Sequence, residues 1–270
     1  DLLETGLRRA TELGFTCIRL GLEDASRADV DFALSVARRG LELGAHRVRL
    51  ADTVGLLSPS RTAALIRTFS QGLGVPIDFH GHNDFGMATA NAVAALEAGA
   101  ASVDVSLLGL GERAGIAALE EVAAWLCLGS ACAGEAGGNQ HGTPRYNLRP
   151  LSALCGFVAA KADIAVARTK AVVGEDIFAC ETGLHMQGLA RDTGLFEPFA
   201  PWAVTASRKT ALGKKSGRAA VREAAASLGL TLPAYAAEAL VGRVRETSAR
   251  LGRPLREEEF AGVARSWGAQ

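Results

Sequence analysis

Two histidines separated by a single residue, His80 and His82, are the side chains of this sequence best suited to chemistry. They end a strand predicted over residues 75–80, and alternate side chains of a strand point to the same face. Two imidazoles at this spacing can bind one divalent metal ion, with nearby Asp and Asn side chains as further ligands or as hydrogen-bond acceptors. The structural alternative is a pair of histidines that are only hydrogen-bonded at a strand end.

Polar residues also follow two other predicted strands. Arg19, Gly21 and Glu23 alternate along one face of the first strand, and Asp52 and Thr53 end the second. Both strand ends fit a ligand-binding role. For Asp52 and Thr53, capping of the following turn is an equally good interpretation.

Three further segments are weaker candidates for functional sites. The glycines of the segment 109–115 allow backbone N–H groups to approach an anion, whereas an ion pair between Glu112 and Arg113 is a structural alternative. His185 lies in a glycine-flanked turn and, taken alone, is typical of a structural or solvated histidine. The basic segment 207–218 either binds a phosphate-bearing cofactor or forms a solvated loop.

Strands and helices alternate through the first 130 residues. Strands are predicted over 16–22, 47–51, 75–80 and 102–107, and helices over about 2–13, 29–43, 59–71, 86–98 and 116–128. This alternation predicts a parallel sheet covered by helices, and its repeat of about 30 residues fits a (β/α)8 TIM barrel. In that fold the functional residues lie at the carboxyl ends of the strands, where His80 and His82 are expected.

Only four of the eight strands of such a barrel are visible. Residues 1–130 are therefore predicted to be the last four βα units of a TIM barrel, and the helical pattern at the very start suggests a fragment. The small-residue segment 131–147 is predicted as a linker. Residues 148–270 are predicted as a small, mostly helical appendage, with helices over about 149–161, 215–228, 233–251 and 256–267.

Composition narrows the class of protein. The 270 residues are 49% hydrophobic, and 29 basic side chains balance 29 acidic ones, which argues against nucleic acid or a membrane surface as a partner. The longest apolar stretches are shorter than the roughly 20 residues that span a bilayer, and the start does not resemble a signal peptide. Five scattered cysteines predict core residues in a reducing compartment, so we expect a cytoplasmic protein.

Five motifs follow one another along the chain. They are Glu23-Asp-Ala-Ser-Arg-Ala-Asp29, Ala51-Asp-Thr-Val-Gly55, His80-Gly-His-Asn-Asp-Phe-Gly-Met-Ala-Thr-Ala-Asn91, Gly109-Leu-Gly-Glu-Arg-Ala-Gly115 and Glu181-Thr-Gly-Leu-His185. In this order they resemble the superfamily of homocitrate synthases, isopropylmalate synthases and HMG-CoA lyases. The first motif looks most like homocitrate synthase of the nitrogen-fixation type, which serves nitrogenase cofactor synthesis.

The resemblance implies a Claisen condensation of acetyl-CoA with a 2-oxo acid, here 2-oxoglutarate, that yields homocitrate and CoA. It implies a divalent cofactor (Mn²⁺, Mg²⁺ or Zn²⁺) that polarises the keto group. His80 and His82 would bind this metal, and Thr53, Arg19 and Glu23 would contact the keto acid.

The resemblance also implies a homodimer. His185 would act in the neighbouring subunit's active site, where it and Asp78 would take part in proton transfer.

The sequence departs from the family pattern at four places. The family's first strand, which supplies a metal-binding carboxylate and an arginine, would precede Asp1. Ile116 stands where the family has a metal-binding Asn, Phe196 where it has a Tyr, and Lys215 where it has a His.

Three hypotheses follow. The chain is a homocitrate synthase or a related 2-isopropylmalate synthase-like acyltransferase; or a split-enzyme subunit that needs a partner chain with the N-terminal half; or a non-catalytic remnant.

Overall fold

Four parallel strands pair side by side in sequence order in the first part of the chain. They are β1 (Arg19–Leu22), β2 (Arg47–Asp52), β3 (Ile77–Gly81) and β4 (Ser102–Val103). The computed structural model describes residues 2–129, 146–181, 188–189, 191–233 and 235–267. The chain divides into two units: one comprises Asp1–Tyr146 with Leu154–Ile164, and the other comprises Asn147–Ala153 with Ala165–Gln270.

Helices connect the strands of the first unit. They are α1 (Leu2–Glu12), α2 (Val30–Glu42), α3 (Pro59–Leu73), α4 (Ala88–Glu97) and α5 (Leu119–Ala124). Local chemistry sets their ends: the Asp29 side chain accepts the Phe32 N–H at the start of α2, and Pro59 opens α3 where no N–H donor is needed. Gly74 ends α3 with φ of 64°, a conformation that favours glycine.

The two faces of the sheet differ sharply in polarity. One face packs against the apolar sides of α2, α3 and α4, and its strand residues are Leu20, Leu22, Val48, Leu50, Ile77 and Phe79. The alternate residues form the opposite face, which we call the charged face: Arg19, Arg47, Arg49, Asp78, His80, Ser102 and Asp104. The strict alternation follows from the two-residue period of a strand.

The fourth predicted strand is broken into two parts. After β4, Asp104 interrupts the pairing pattern, and β5 (Val105–Ser106) then pairs with β6 (Ala117–Ala118). A short 3-10 turn over Leu107–Gly109 follows, with Leu108 at φ of 59°. The prediction of a continuous strand over 102–107 was therefore wrong in detail.

The parallel α/β architecture is confirmed. Closure of the four strands into half of a barrel remains a prediction.

The second unit is mostly helical, as predicted. Its helices α7 (Arg218–Ser227), α8 (Ala236–Leu251) and α9 (Glu257–Arg265) enclose an apolar core that includes Val221, Leu240, Val244 and Phe260. A short parallel pair, β7 (Ala179–Cys180) and β8 (Lys209–Thr210), precedes them. Helix α6 (Leu151–Ala162) has residues in both units.

Some sequence expectations lie outside the described residues or need correction. His185 and most of the predicted linker 131–147 are not among the described residues. Of the four described cysteines, only Cys155 is buried and Cys17 is exposed, so the expectation of core cysteines was largely wrong. Within the described ranges, no helix is long and apolar enough to cross a membrane.

Acid sensitivity is expected at the start of α9. Two hydrogen bonds from Arg253 and one from the Arg256 N–H lower the pKa of Glu259 from 4.5 to about 2. A carboxylate whose pKa is lower in the folded than in the unfolded state stabilises the fold fully when the pH is above the unfolded-state pKa. This stabilisation is lost as the pH falls to the folded-state pKa. Thermal unfolding of wild type and Glu259→Gln should therefore differ most above pH 5 and converge as the pH falls from 4.5 towards 2. A difference that stays constant over this range would contradict the assignment.

Candidate active site

His80 and His82 meet at the carboxyl end of β3, as the sequence predicts. Their Nε2 atoms lie 3.3 Å apart, and the rings stand edge to face with centroids 4.9 Å apart. Among the described residues, His82 Nδ1 is buried without a hydrogen-bond partner. The two Nε2 atoms therefore face each other at hydrogen-bond distance.

The electrostatic environment of His80 favours a neutral ring. Burial lowers its pKa, and this effect outweighs the attraction of Asp104, whose Oδ2 atom lies 3.1 Å from His80 Nδ1. Neutral imidazole is the form that binds metals. His80 therefore offers an unprotonated nitrogen near neutral pH.

The histidine pair fits a divalent ion. A separation of 3.3 Å matches two nitrogens bound to one ion at about 2.0–2.1 Å with a roughly tetrahedral angle between them. In the part of the chain that the structure describes, no group of three or more His, Cys, Asp or Glu side chains is placed to hold a metal. His80 and His82 can thus supply two ligands, and the remaining ligands must come from substrate, water or residues outside the described ranges.

Asp78 is fully buried beneath the histidine pair. Its carboxylate accepts hydrogen bonds from Arg47 Nε at 3.0 Å and from Ser102 Oγ at 2.7 Å, and Arg47 Nη2 forms a second, shorter contact. Arg19 Nη1 lies 3.6 Å from its Oδ2. These contacts make Asp78 the shared partner of Arg47 and Arg19 on the charged face, and its predicted role in proton transfer remains a prediction.

Of the predicted keto-acid contacts, Glu23 and Thr53 follow the carboxyl ends of β1 and β2, whereas Arg19 is the first residue of β1 and lies at its amino end. The Arg19 guanidinium reaches both Asp78 and Asp104, at 3.6 and 3.8 Å, and its side chain is 40% exposed. Glu23 is exposed at the end of β1. The Thr53 hydroxyl accepts the Asp24 N–H at 2.7 Å, which ties together the loops after β1 and β2 and leaves the hydroxyl proton available.

Asp52 caps the turn after β2. Its two carboxylate oxygens accept the N–H groups of Leu56 and Leu57 at 3.0 and 2.8 Å, and its side chain is buried. The turn-capping interpretation of Asp52 is confirmed.

The loop after β5 carries a clamp built around Arg113. Its guanidinium donates to both oxygens of Asp84 at 2.9 Å and to the Thr53 carbonyl at 2.6 Å. Arg113 thus joins the loops after β2, β3 and β5 around the histidine pair. The alternative of a Glu112–Arg113 ion pair was wrong, because the side-chain partner of Arg113 is Asp84. Gly55 fits under this clamp because a Cβ there would lie 2.8 Å from Asp84 Oδ2.

The backbone of the same loop lies against the second histidine. Ile116 forms an isolated antiparallel bridge with His82, and the Asn83 N–H donates to the Gly115 carbonyl at 2.9 Å. The apolar side chain of Ile116 supplies no metal ligand beside His82.

Loss of the clamp should loosen the loops around the histidine pair. In Arg113→Ala, amide hydrogen exchange over residues 53–57 and 82–86 is expected to speed up several-fold, since these loops lose their shared donor. Arg27→Ala is the matched control, because Arg27 pairs only with Asp24 in its own loop among the contacts described. It should affect residues 24–28 alone. Unchanged exchange in Arg113→Ala would show that the loops hold their positions without the clamp.

Sequence reasoning missed Asp104 and Arg49. Asp104 Oδ2 lies 3.1 Å from His80 Nδ1, and Arg49 Nη1 donates to the same oxygen at 3.0 Å. Alternation along the fourth strand and along β2 was the available signal, because it places both side chains on the same face as His80.

The basic segment 207–218 is partly neutralised in the second unit. Arg208 pairs with Glu197, and Lys209 pairs with Glu175 at 2.9 Å. The Lys215 N–H donates to Glu181 Oε1 at 2.8 Å, which joins the Glu181 motif to the turn at residues 213–217. The ion pairs favour the structural interpretation of this segment over a phosphate grip.

Comparison with known families agrees with the motifs. Residues 2–143, more than half of the chain, match the family described as HMGL-like. Residues 172–251 match the family described as homocitrate synthase post-HMGL domain-like. The two matches follow the same order as the two units of the structure.

Three curated relatives are named for three different activities. Homocitrate synthase 1 of Nostoc sp. (strain PCC 7120) is 40% identical over 248 residues, which are 92% of this chain and 63% of the relative. 2-Isopropylmalate synthase 2 of Caldanaerobacter subterraneus subsp. tengcongensis is 38% identical over 96% of this chain and 65% of its own length. (R)-Citramalate synthase CimA of Methanocaldococcus jannaschii is 34% identical over 98% of this chain and 52% of its own length. The chain thus spans about half to two thirds of the length of these relatives.

Proposed function

Because the chain belongs to the HMGL-like family, we propose that it works as a homocitrate synthase that condenses acetyl-CoA with 2-oxoglutarate. The observation that carries this proposal is the pair of facing Nε2 atoms, 3.3 Å apart, at a strand end among polar loops. Homocitrate synthases at 40% and 37% identity support the choice of keto acid. 2-Isopropylmalate and citramalate synthases among the relatives make 2-oxoisovalerate and pyruvate the competing substrates.

His80 and His82 would hold the divalent metal, here Mn²⁺, Mg²⁺ or Zn²⁺. When bound, the metal polarises the keto group as a Lewis acid and so makes its carbon a better acceptor for a carbon nucleophile. The protein's own contribution is to hold the two Nε2 atoms 3.3 Å apart, face to face. Burial of His80 supports metal binding through its lowered pKa.

Substrate contacts are proposed for Arg19, Thr53 and Glu23. Arg19 offers a partly exposed guanidinium to a carboxylate, which suits a dicarboxylic keto acid. Thr53 keeps a hydroxyl proton for a hydrogen bond to the substrate, and Glu23 lies exposed at the adjacent strand end. Asp78 and His185 are proposed to take part in removing a methyl proton from acetyl-CoA, with His185 supplied by the second subunit of a homodimer.

A split enzyme is the second candidate. Strand β1 pairs only with β2 within the described residues, so its other edge can offer backbone N–H and C=O groups to a further strand. A chain that carries the remaining barrel strands would satisfy this edge and supply further metal ligands. We regard the predicted half-barrel as the structural basis of this candidate.

CoA release tests the proposal directly. The 270-residue chain, alone and with a candidate chain carrying the remaining barrel strands, is incubated with acetyl-CoA, Mn²⁺ or Mg²⁺, and one of the three keto acids. Thiol release with 2-oxoglutarate supports homocitrate synthase, and preference for 2-oxoisovalerate or pyruvate assigns the corresponding relative's activity. Release only with the complementing chain supports the split enzyme, and no release in any mixture leaves the non-catalytic interpretation.

A further inference from the structure

Asp104 contacts the first histidine of the pair from the neighbouring strand. Its N–H donates to the Phe79 carbonyl at 2.9 Å, which places its side chain on the charged face beside His80. The Asp104 Oδ2 atom then lies 3.1 Å from His80 Nδ1. His80 Nε2 is the atom left to face His82.

Two arginine side chains surround the Asp104 carboxylate. Arg49 Nη1 donates to Oδ2 at 3.0 Å, and Arg19 Nη1 lies 3.8 Å from Oδ1. Because Oδ2 already accepts the Arg49 N–H, we assign it as the acceptor of the 3.1 Å contact as well, and the proton of that contact then belongs to His80 Nδ1. In the neutral ring, the other nitrogen is then without a proton.

We propose that Asp104, held by Arg49, is a positioning residue that fixes His80 in the Nδ1–H tautomer and turns its unprotonated Nε2 towards His82. Metal-bound histidines usually donate their second ring N–H to a carboxylate or carbonyl, which fixes the ring orientation. The assignment of a metal partner to Nε2 rests on the proposed function. The tautomer itself does not, because it follows from contacts within the chain.

The merely structural alternative makes Asp104 a counter-ion for Arg49. On that interpretation, the tautomer of His80 is independent of Asp104. A matched control exists in the second unit, where Asp176 forms a two-point contact with Arg168 and its side chain is 27% exposed, against 26% for Asp104. Asp176→Ala removes a comparable ion pair far from His80 in sequence.

The experiment records long-range ¹H–¹⁵N spectra of the full chain with ¹⁵N-labelled histidine and no metal. Wild-type His80 should show the Nδ1–H tautomer, Asp104→Ala should move it towards Nε2–H, and Asp104→Asn, which keeps an acceptor oxygen, should restore much of the wild-type pattern. Asp176→Ala should leave it unchanged. An Nε2–H tautomer in the wild type, which requires no variant to fold, would overturn the proposal. So would a wild-type pattern in folded Asp104→Ala.

Zn²⁺ titration provides the second readout. Asp104→Ala should lower Zn²⁺ affinity by about 10–100-fold, the usual effect of removing a partner behind a metal-binding histidine. If neither wild type nor any variant binds Zn²⁺ but the tautomer changes as expected, the positioning role is supported. Only the proposed function is then contradicted. Equal affinity in wild type and Asp104→Ala would overturn the positioning role.

Discussion

Replacement of His80 by alanine is expected to lower metal-dependent CoA release by on the order of 10³-fold or more, since several kcal/mol of transition-state stabilisation by the metal would be lost. The two imidazoles face each other at 3.3 Å, and His82 alone cannot form the two-point contact. The assay is CoA release at increasing metal concentration, in whichever assembly shows wild-type activity. Added metal should restore little activity.

His46→Ala is the control for this experiment. His46 lies before β2, at the opposite end of the strands, and its ring accepts the Ile18 N–H at 3.2 Å. Its replacement should leave turnover close to the wild-type value. Full turnover of His80→Ala at saturating metal would remove His80 from the metal site.

Replacement of Asp78 by alanine is expected to lower the free energy of unfolding by about 3 kcal/mol, the lower end of the range for breaking a buried ion pair. The Asp78 side chain is completely buried and lies between Arg47, Arg19 and Ser102. The lower end applies because the Arg47 side chain is 33% exposed and keeps some contact with water. Urea unfolding of the two proteins measures the difference.

Asp78→Asn separates anchoring from proton transfer. The amide keeps the size and one acceptor oxygen, so much of the stability should return while the ability to take up a proton is lost. A stable Asp78→Asn protein with strongly reduced turnover would support the proposed proton transfer, and unchanged turnover would leave only the anchoring role. Asp31→Ala, at an exposed position in α2, serves as the stability control and should change unfolding by less than about 0.5 kcal/mol.

The strands and helices of the first unit could mostly be predicted, because apolar residues recur with the period of a strand or a helix and turn-forming residues lie between them. The apolar alternation of residues such as Val48, Leu50 and Phe79 predicted the strands, because only one of their two faces packs against helices. His80 and His82 were found because they are two residues apart at the end of one strand, and alternate side chains of a strand point to the same face.

Contacts between strands could not be predicted in the same way. The pairing of His80 with Asp104 depends on which residues of β3 and the fourth strand are neighbours, and sequence spacing does not determine that register. Arg113 was assigned to its neighbour Glu112, although its partner Asp84 lies 29 residues away. Adjacent residues seldom face each other, so the nearest opposite charge in sequence was a poor guide.

The difference in polarity between the two faces of the sheet also affects which strand registers can form during folding. A slip of one residue in any strand would exchange its two faces and carry charges such as those of Arg47, Arg49 or Asp78 into the apolar layer beneath α2 and α3. The cost of burying such a charge without its partner is several kcal/mol, which is comparable to the whole stability of a domain. The charged face therefore destabilises misaligned strand pairings relative to the native register.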